Sequence, residues 1–197
     1  MIKNLILLLL CIELMGCMAS RPKNINNACS IITEYPDWYY DAKDSYQKWG
    51  VPISVQFAMI RSESHFKANA LPPRNWYLGF IPGARVSTAY GYSQALDGTW
   101  EQYERSTGNY GASRTDFADS VDFIGWYGDF INKRLNISKT DTYKLYLAYH
   151  QGPNSFHKIS SRKHAALIRY AKKTQAWAWK YAGQLKKCNI PSKGWWF

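Results

Sequence analysis

Apolar residues along this 197-residue chain fall into a few runs at helical spacing. The densest is 51–66, VPISVQFAMIRSESHF, where Ile53, Phe57 and Ile60 recur at intervals of four and three. Val55, Ala58 and Met59 widen that stripe until little of the cylinder is polar, so the helix is buried. Pro52 suits its first turn, where the missing N–H has no intrahelical partner to lose. Ahead of it, 37–49 offers an aromatic face of Trp38, Tyr39, Tyr46 and Trp49 and stops at Gly50. Behind it, Asp97 caps a helix over about 98–107. Asp116 caps the longest amphipathic segment, about 117–135, and Asp141 caps about 142–150, which Gly152-Pro153 ends. A basic helix follows over about 162–187. Between the buried helix and Asp97, Pro72-Pro73 and Pro82-Gly83 mark a long loop or short strands. The expected fold class is mainly α, with a long loop or small β region after the buried helix.

The N-terminus changes the picture of where this domain works. Lys3, an apolar run over 5–12 and Leu14-Met15-Gly16-Cys17 read as a cleaved signal, too short for a membrane-spanning helix. LMGC resembles a bacterial lipobox, which implies that residues 1–16 leave and that Cys17 is lipidated. More than one acyl chain makes such an anchor stable. Met18 in place of Asp favours the periplasmic side of the outer membrane. The polar stretch 20–27 reads as a tether, so the expected division is signal 1–16, tether 17–34 and one domain over 35–197. The tail Trp195-Trp196-Phe197 is apolar enough to pack back on that domain.

Charge and cysteines agree with export. Lys and Arg total 25 against 14 Asp and Glu, a net +11, which suits an anionic partner. Export argues against nucleic acid, leaving cell-wall glycopeptide and anionic lipid surfaces. With Cys11 in the signal and Cys17 lipidated, Cys29 and Cys188 remain. They either bridge, which for so long a loop contributes about 4 to 5 kcal/mol, or stay buried thiols. There is no CxxC and no His/Cys cluster, so neither a metal nor a cofactor is expected; the domain is expected to be a monomer.

Candidate chemistry centres on Glu63, in the last turn of the buried helix. Apolar neighbours desolvate its anion and the helix C-terminus opposes negative charge, so both favour the protonated form that a general acid needs. The plainer alternative pairs it with Arg61 or Lys67. Residues 64–96 contain no Asp or Glu, while Lys67, Arg74 and Arg85 alternate with Trp76, Tyr77, Phe80 and Tyr90. Rings and bases together suggest a wall for a long, hydrogen-bonding substrate, or else an aromatic mini-core. Most glycosidases need a second carboxylate about 5 to 9.5 Å from the first. Asp97 and Glu101 are the nearest along the chain, with Asp116 or Asp119 possible from afar.

Three segments stand in order: Glu63-Ser64 with Phe66, Gly91-Tyr92-Ser93-Gln94 after Ser87-Thr88-Ala89-Tyr90, and Ala148-Tyr149-His150-Gln151-Gly152. They resemble the three signatures of lytic transglycosylases of the soluble-lytic-transglycosylase (SLT) type, relatives of goose-type lysozyme. The resemblance implies a lysozyme-like helical domain that acts on peptidoglycan strands. Glu63 would protonate the bond between MurNAc and GlcNAc and then take a proton from the MurNAc 6-hydroxyl, leaving a 1,6-anhydro end. Ser64 would contact substrate, Gln94 would floor the cleft with the Gly91 backbone close by, and Tyr149 would hold the acid by its hydroxyl. Tyr92 and His150, which depart from the family's usual residues, occupy its sugar-contact positions. Two other readings are a hydrolase of the same fold and a non-catalytic glycan-binding lipoprotein.

Overall fold

The computed structural model describes residues 21–190 and 192–193. In chain order these form α1 (Ala28–Glu34), α2 (Pro36–Trp49), α3 (Ile53–Ser64), β1 (Arg74–Tyr77), β2 (Ile81–Arg85), α4 (Asp97–Thr107), α5 (Phe117–Leu135), α6 (Thr142–Gln151), a 3-10 turn (Pro153–Lys158) and α7 (Ala165–Leu185). The architecture is the expected mainly α one, with a single antiparallel hairpin, β1 against β2, directly after the buried helix. Helix α3 runs through the middle. It lies along α7 and also meets α2 and α5, while α2 lies along α5 and α6 along α7.

The sequence explains why these helices pack so closely. Phe57, Ala58 and Ile60 of α3 are fully buried, and the one long polar side chain among them, Gln56, donates from Nε2 to the carbonyls of Ala42 (3.1 Å) and Val51 (2.7 Å). Those bonds offset the cost of burying its amide NH2, while its Oε1 is buried without a partner. Trp38 stacks on Phe117 with ring centres 4.0 Å apart, and the Phe66 ring lies 5.9 Å from Trp38 and 6.5 Å from Phe117. Gly125 lets α5 approach α2: a Cβ there would lie 2.7 Å from Cδ1 of Trp49.

Two expectations shift. Residues 21–34 are not a free tether: Asn27 caps α1 by accepting from the N–H groups of Cys29 and Ser30, and Ala28, Ile31 and Ile32 are fully buried. The Tyr181 hydroxyl donates to the Ile25 carbonyl, Ala28 N–H donates to Gln184 at 2.8 Å, and Cys29 is disulfide-bonded to Cys188. Three isoleucines in a polar-looking stretch are covered by elements later in the chain, α2 and the distant α7, so the packed body reaches back to Pro22, which is itself buried. Asp97, secondly, is the first residue of α4 rather than its cap; its carboxylate pairs with Arg114 at 2.8 Å. Asp116 and Asp141 do cap α5 and α6 through Asp119 N–H and Lys144 N–H. The signal, Cys17 and the tail 195–197 lie outside the described residues.

Candidate active site

Helix α3 ends abruptly beyond Glu63. His65 closes it in the left-handed region (φ 54°) and Phe66 follows at φ 61°, with its ring fully buried. The reversal leaves Glu63 on the wall of a cleft of about 630 Å³. Residues 71–73, Ser87, Ala89 and 94–96 line one side; Thr99 of α4, Phe123 and Tyr127 of α5, and 149–152 at the end of α6 line the rest.

The Glu63 carboxyl is unusually placed. Its Oε1 is shut off from solvent without a hydrogen-bond partner, and the Tyr146 hydroxyl bonds to the carboxyl. Burial pushes its pKa from 4.5 up to about 8, and the Tyr146 bond, which favours the anion, only partly counters this. At neutral pH the group therefore carries its proton. Burial and the neighbouring Glu63 charge raise Tyr146 in turn, so it remains a phenol and a donor. Among the described residues that line the cleft, Glu63 is the one carboxylate. The distant candidates are committed elsewhere: Asp116 caps α5, and Asp119 accepts from Ser113 N–H at 2.8 Å.

The loop 91–94 is fastened against this wall. Gly91 sits at φ 78°, and a Cβ there would collide with the Arg114 carbonyl, so no other residue fits without displacing backbone. Gly91 N–H donates to Ala70, and Tyr92 N–H to Arg114, both at 3.0 Å. Gln94 lines the cleft and spends both Nε2 hydrogens on the carbonyls of Ala70 and Gly91, each at 2.9 Å. What it can offer a ligand is its Oε1, an acceptor for a sugar hydroxyl or amide.

Other expected contacts fall differently. The Tyr149 hydroxyl does not hold the acid; it donates to the Ser93 carbonyl at 2.6 Å, while Tyr146, one turn earlier on the same helix face, reaches Glu63. The two tyrosines are three residues apart, and only the packing of α6 against α7 and α5 decides which hydroxyl goes where. Ser64 is buried and donates back to the Ile60 carbonyl at 3.0 Å, so it does not face the cleft. Tyr92 is also buried, its ring edge-on to Trp38 and Phe117, and is a core residue rather than a sugar contact. His150 does line the cleft. The aromatic wall is built from Phe123 and Tyr127 instead of Trp76, Tyr77 and Phe80, none of which lines it. Phe123 and Tyr127 are spaced i, i+4 on a helix that reads as pure core, so nothing in the sequence marks their role.

A helical body with a groove holding one desolvated carboxyl is the arrangement of a lysozyme-like, glycan-cleaving domain. The chain belongs to the family described as transglycosylase SLT domain, whose model matches residues 5–188. Membership makes it a glycan-cleaving enzyme with peptidoglycan as its substrate class. Comparison with curated proteins finds no match.

Proposed function

We propose that this protein is a peptidoglycan lytic transglycosylase that cleaves the β-1,4 bond between MurNAc and GlcNAc, with Glu63 as both acid and base. The observation that carries this reading is a cleft carboxylate, alone among the described lining residues, whose burial holds its pKa at about 8. As the C1–O bond breaks, the protonated carboxyl gives its proton to the departing GlcNAc oxygen. The substrate's N-acetyl oxygen stabilises the positive charge developing at C1, a task for which the described residues of the cleft offer no second carboxylate. Glu63, now an anion in a poorly solvated site, takes the proton of the MurNAc 6-hydroxyl as that oxygen bonds to C1. The products are a GlcNAc end and a 1,6-anhydroMurNAc end, with no water consumed and the acid restored.

Mass spectrometry of digested cell wall tests the proposal. Anhydro ends are lighter by one water than the ends a hydrolase of this fold would leave, so ends carrying that water overturn it. Glu63→Gln should lower the rate about 10²- to 10⁴-fold, the usual contribution of a general acid–base. Undiminished digestion by that variant would remove Glu63 from the chemistry and favour a glycan-binding role for the cleft. The LMGC sequence before the domain supports attachment through Cys17 on the periplasmic side of the outer membrane. The Cys29–Cys188 bridge supports an oxidising compartment.

A further inference from the structure

The β1–β2 hairpin departs from the rest of the surface. Hairpin turns are normally polar, yet this one carries Leu78 at 82% and Phe80 at 71% exposure, flanked by Trp76 at 59% and Tyr77 at 61%. The turn is tight: Tyr77 pairs with Ile81, and Leu78 and Gly79 adopt φ of 53° and 79°. Strand β1 is exposed along its whole length, so the fold covers neither face of the ribbon there. Substrate does not account for the tip, because the cleft uses 71–73 and Ser87 at the hairpin's base and nothing from 74–86.

Chemistry along the hairpin is ordered. Leu78 and Phe80 stand at the end, Tyr77 opposite Ile81 just behind them, Trp76 one residue further back, and Arg74 opposite Arg85 at the base. Acyl chain, headgroup boundary and phosphate call for aliphatic, amphipathic aromatic and cationic groups in that same sequence. A glycan would ask for hydrogen-bond donors around flat rings, which Leu78, Ile81 and Val86 do not supply. No carboxylate occurs over 64–96, so nothing on this segment repels an anionic surface. Strands of four and five residues reach about 15 Å, enough to bury a tip about 5 to 10 Å deep and keep the arginines at the phosphates.

We propose that the hairpin is a membrane-seating finger, its 78–81 tip inserting at the headgroup–acyl boundary of an anionic phospholipid bilayer. This stands independently of the cleavage chemistry and of any lipid on the chain. The test uses the full chain on vesicles of phosphatidylethanolamine with one quarter phosphatidylglycerol, the acyl chains brominated near the headgroup to quench nearby tryptophan emission. Quenching should fall about threefold in Trp76→Phe, whereas Trp179→Phe, at an exposed site on α7, should leave it unchanged. The double variant Leu78→Ser/Phe80→Ser should lose the same signal while cleaving soluble glycan strands at the original rate. Quenching that survives Trp76→Phe, or that is as strong on phosphatidylcholine alone, overturns the proposal. So does a loss of soluble-strand cleavage in the double variant, which would make the tip a substrate contact. The chain has nine tryptophans, so the reading is the difference between the chain and its Trp76→Phe variant, which isolates the depth of that one side chain.

Discussion

Replacing Glu63 by Gln should make the protein more stable, and increasingly so as pH rises. In the folded state burial holds the carboxyl's pKa at about 8, whereas the unfolded chain ionises near 4.5. Below pH 4.5 both states are protonated and the group contributes no pH dependence. Between 4.5 and 8 the unfolded state releases a proton that the folded state keeps, so stability falls with rising pH; above 8 both are ionised and the loss levels off. That interval corresponds to about 5 kcal/mol at most, at about 1.4 kcal/mol per pH unit; the cleft-facing part of the side chain brings the working figure to about 2 to 3 kcal/mol at neutral pH. Glutamine has the shape of the protonated acid without its titration. Unfolding by denaturant at pH 4, 6 and 8 should therefore give matched curves at the acid end. Toward pH 8 the gap should reach about 2 to 3 kcal/mol in favour of the variant, or roughly 5 to 10 °C in midpoint for a chain of this size. Other titrating groups are common to both proteins and cancel. Two stability profiles parallel from pH 4 to 8 would mean that Glu63 ionises normally, and the general-acid assignment would fall with them.

Tyr146→Phe removes the hydrogen bond that favours the Glu63 anion, so the alkaline limb of the turnover profile should move to higher pH; a limb left in place would show that the phenol does not act on the acid. Gly91→Ala should cost about 2 kcal/mol or more in denaturant unfolding and lower cleavage, because the new Cβ meets the Arg114 carbonyl at a positive φ and displaces the loop that holds Gln94. Replacing Cys29 and Cys188 together by Ser opens a loop spanning 159 positions and should destabilise by about 5 kcal/mol in the chain-entropy model, while added reductant should leave the double variant's unfolding unaffected.

Much of the site was legible in the chain because its signals are local. The apolar density of 51–64 identifies a buried helix, Glu63 in its last turn follows from counting residues, and Asp116, Asp141, Gly50 and Gly152 punctuate the helices they bound. Gly91 stands out for the same reason, since a backbone requirement is written in one residue. The absence of acids over 64–96 likewise foretold a cleft with a single carboxylate on that side.

Direction was not legible, and only the tertiary structure decided it. Tyr146 and Tyr149 share a helix face, but the seating of α6 against α7 and α5 gives Glu63 to the first and the Ser93 carbonyl to the second. Ser64 and Tyr92 sit inside the expected motifs and turn into the core, while Phe123 and Tyr127, from a helix that reads as core, form part of the cleft wall. Ile25, Ile31 and Ile32 look stranded in a polar leader until α7 lies beside them. Periodicity reports which residues avoid water along one element. Whether a side chain meets a core, a groove or a lipid surface depends on what other elements bring to it, and those partners lie far away in the chain.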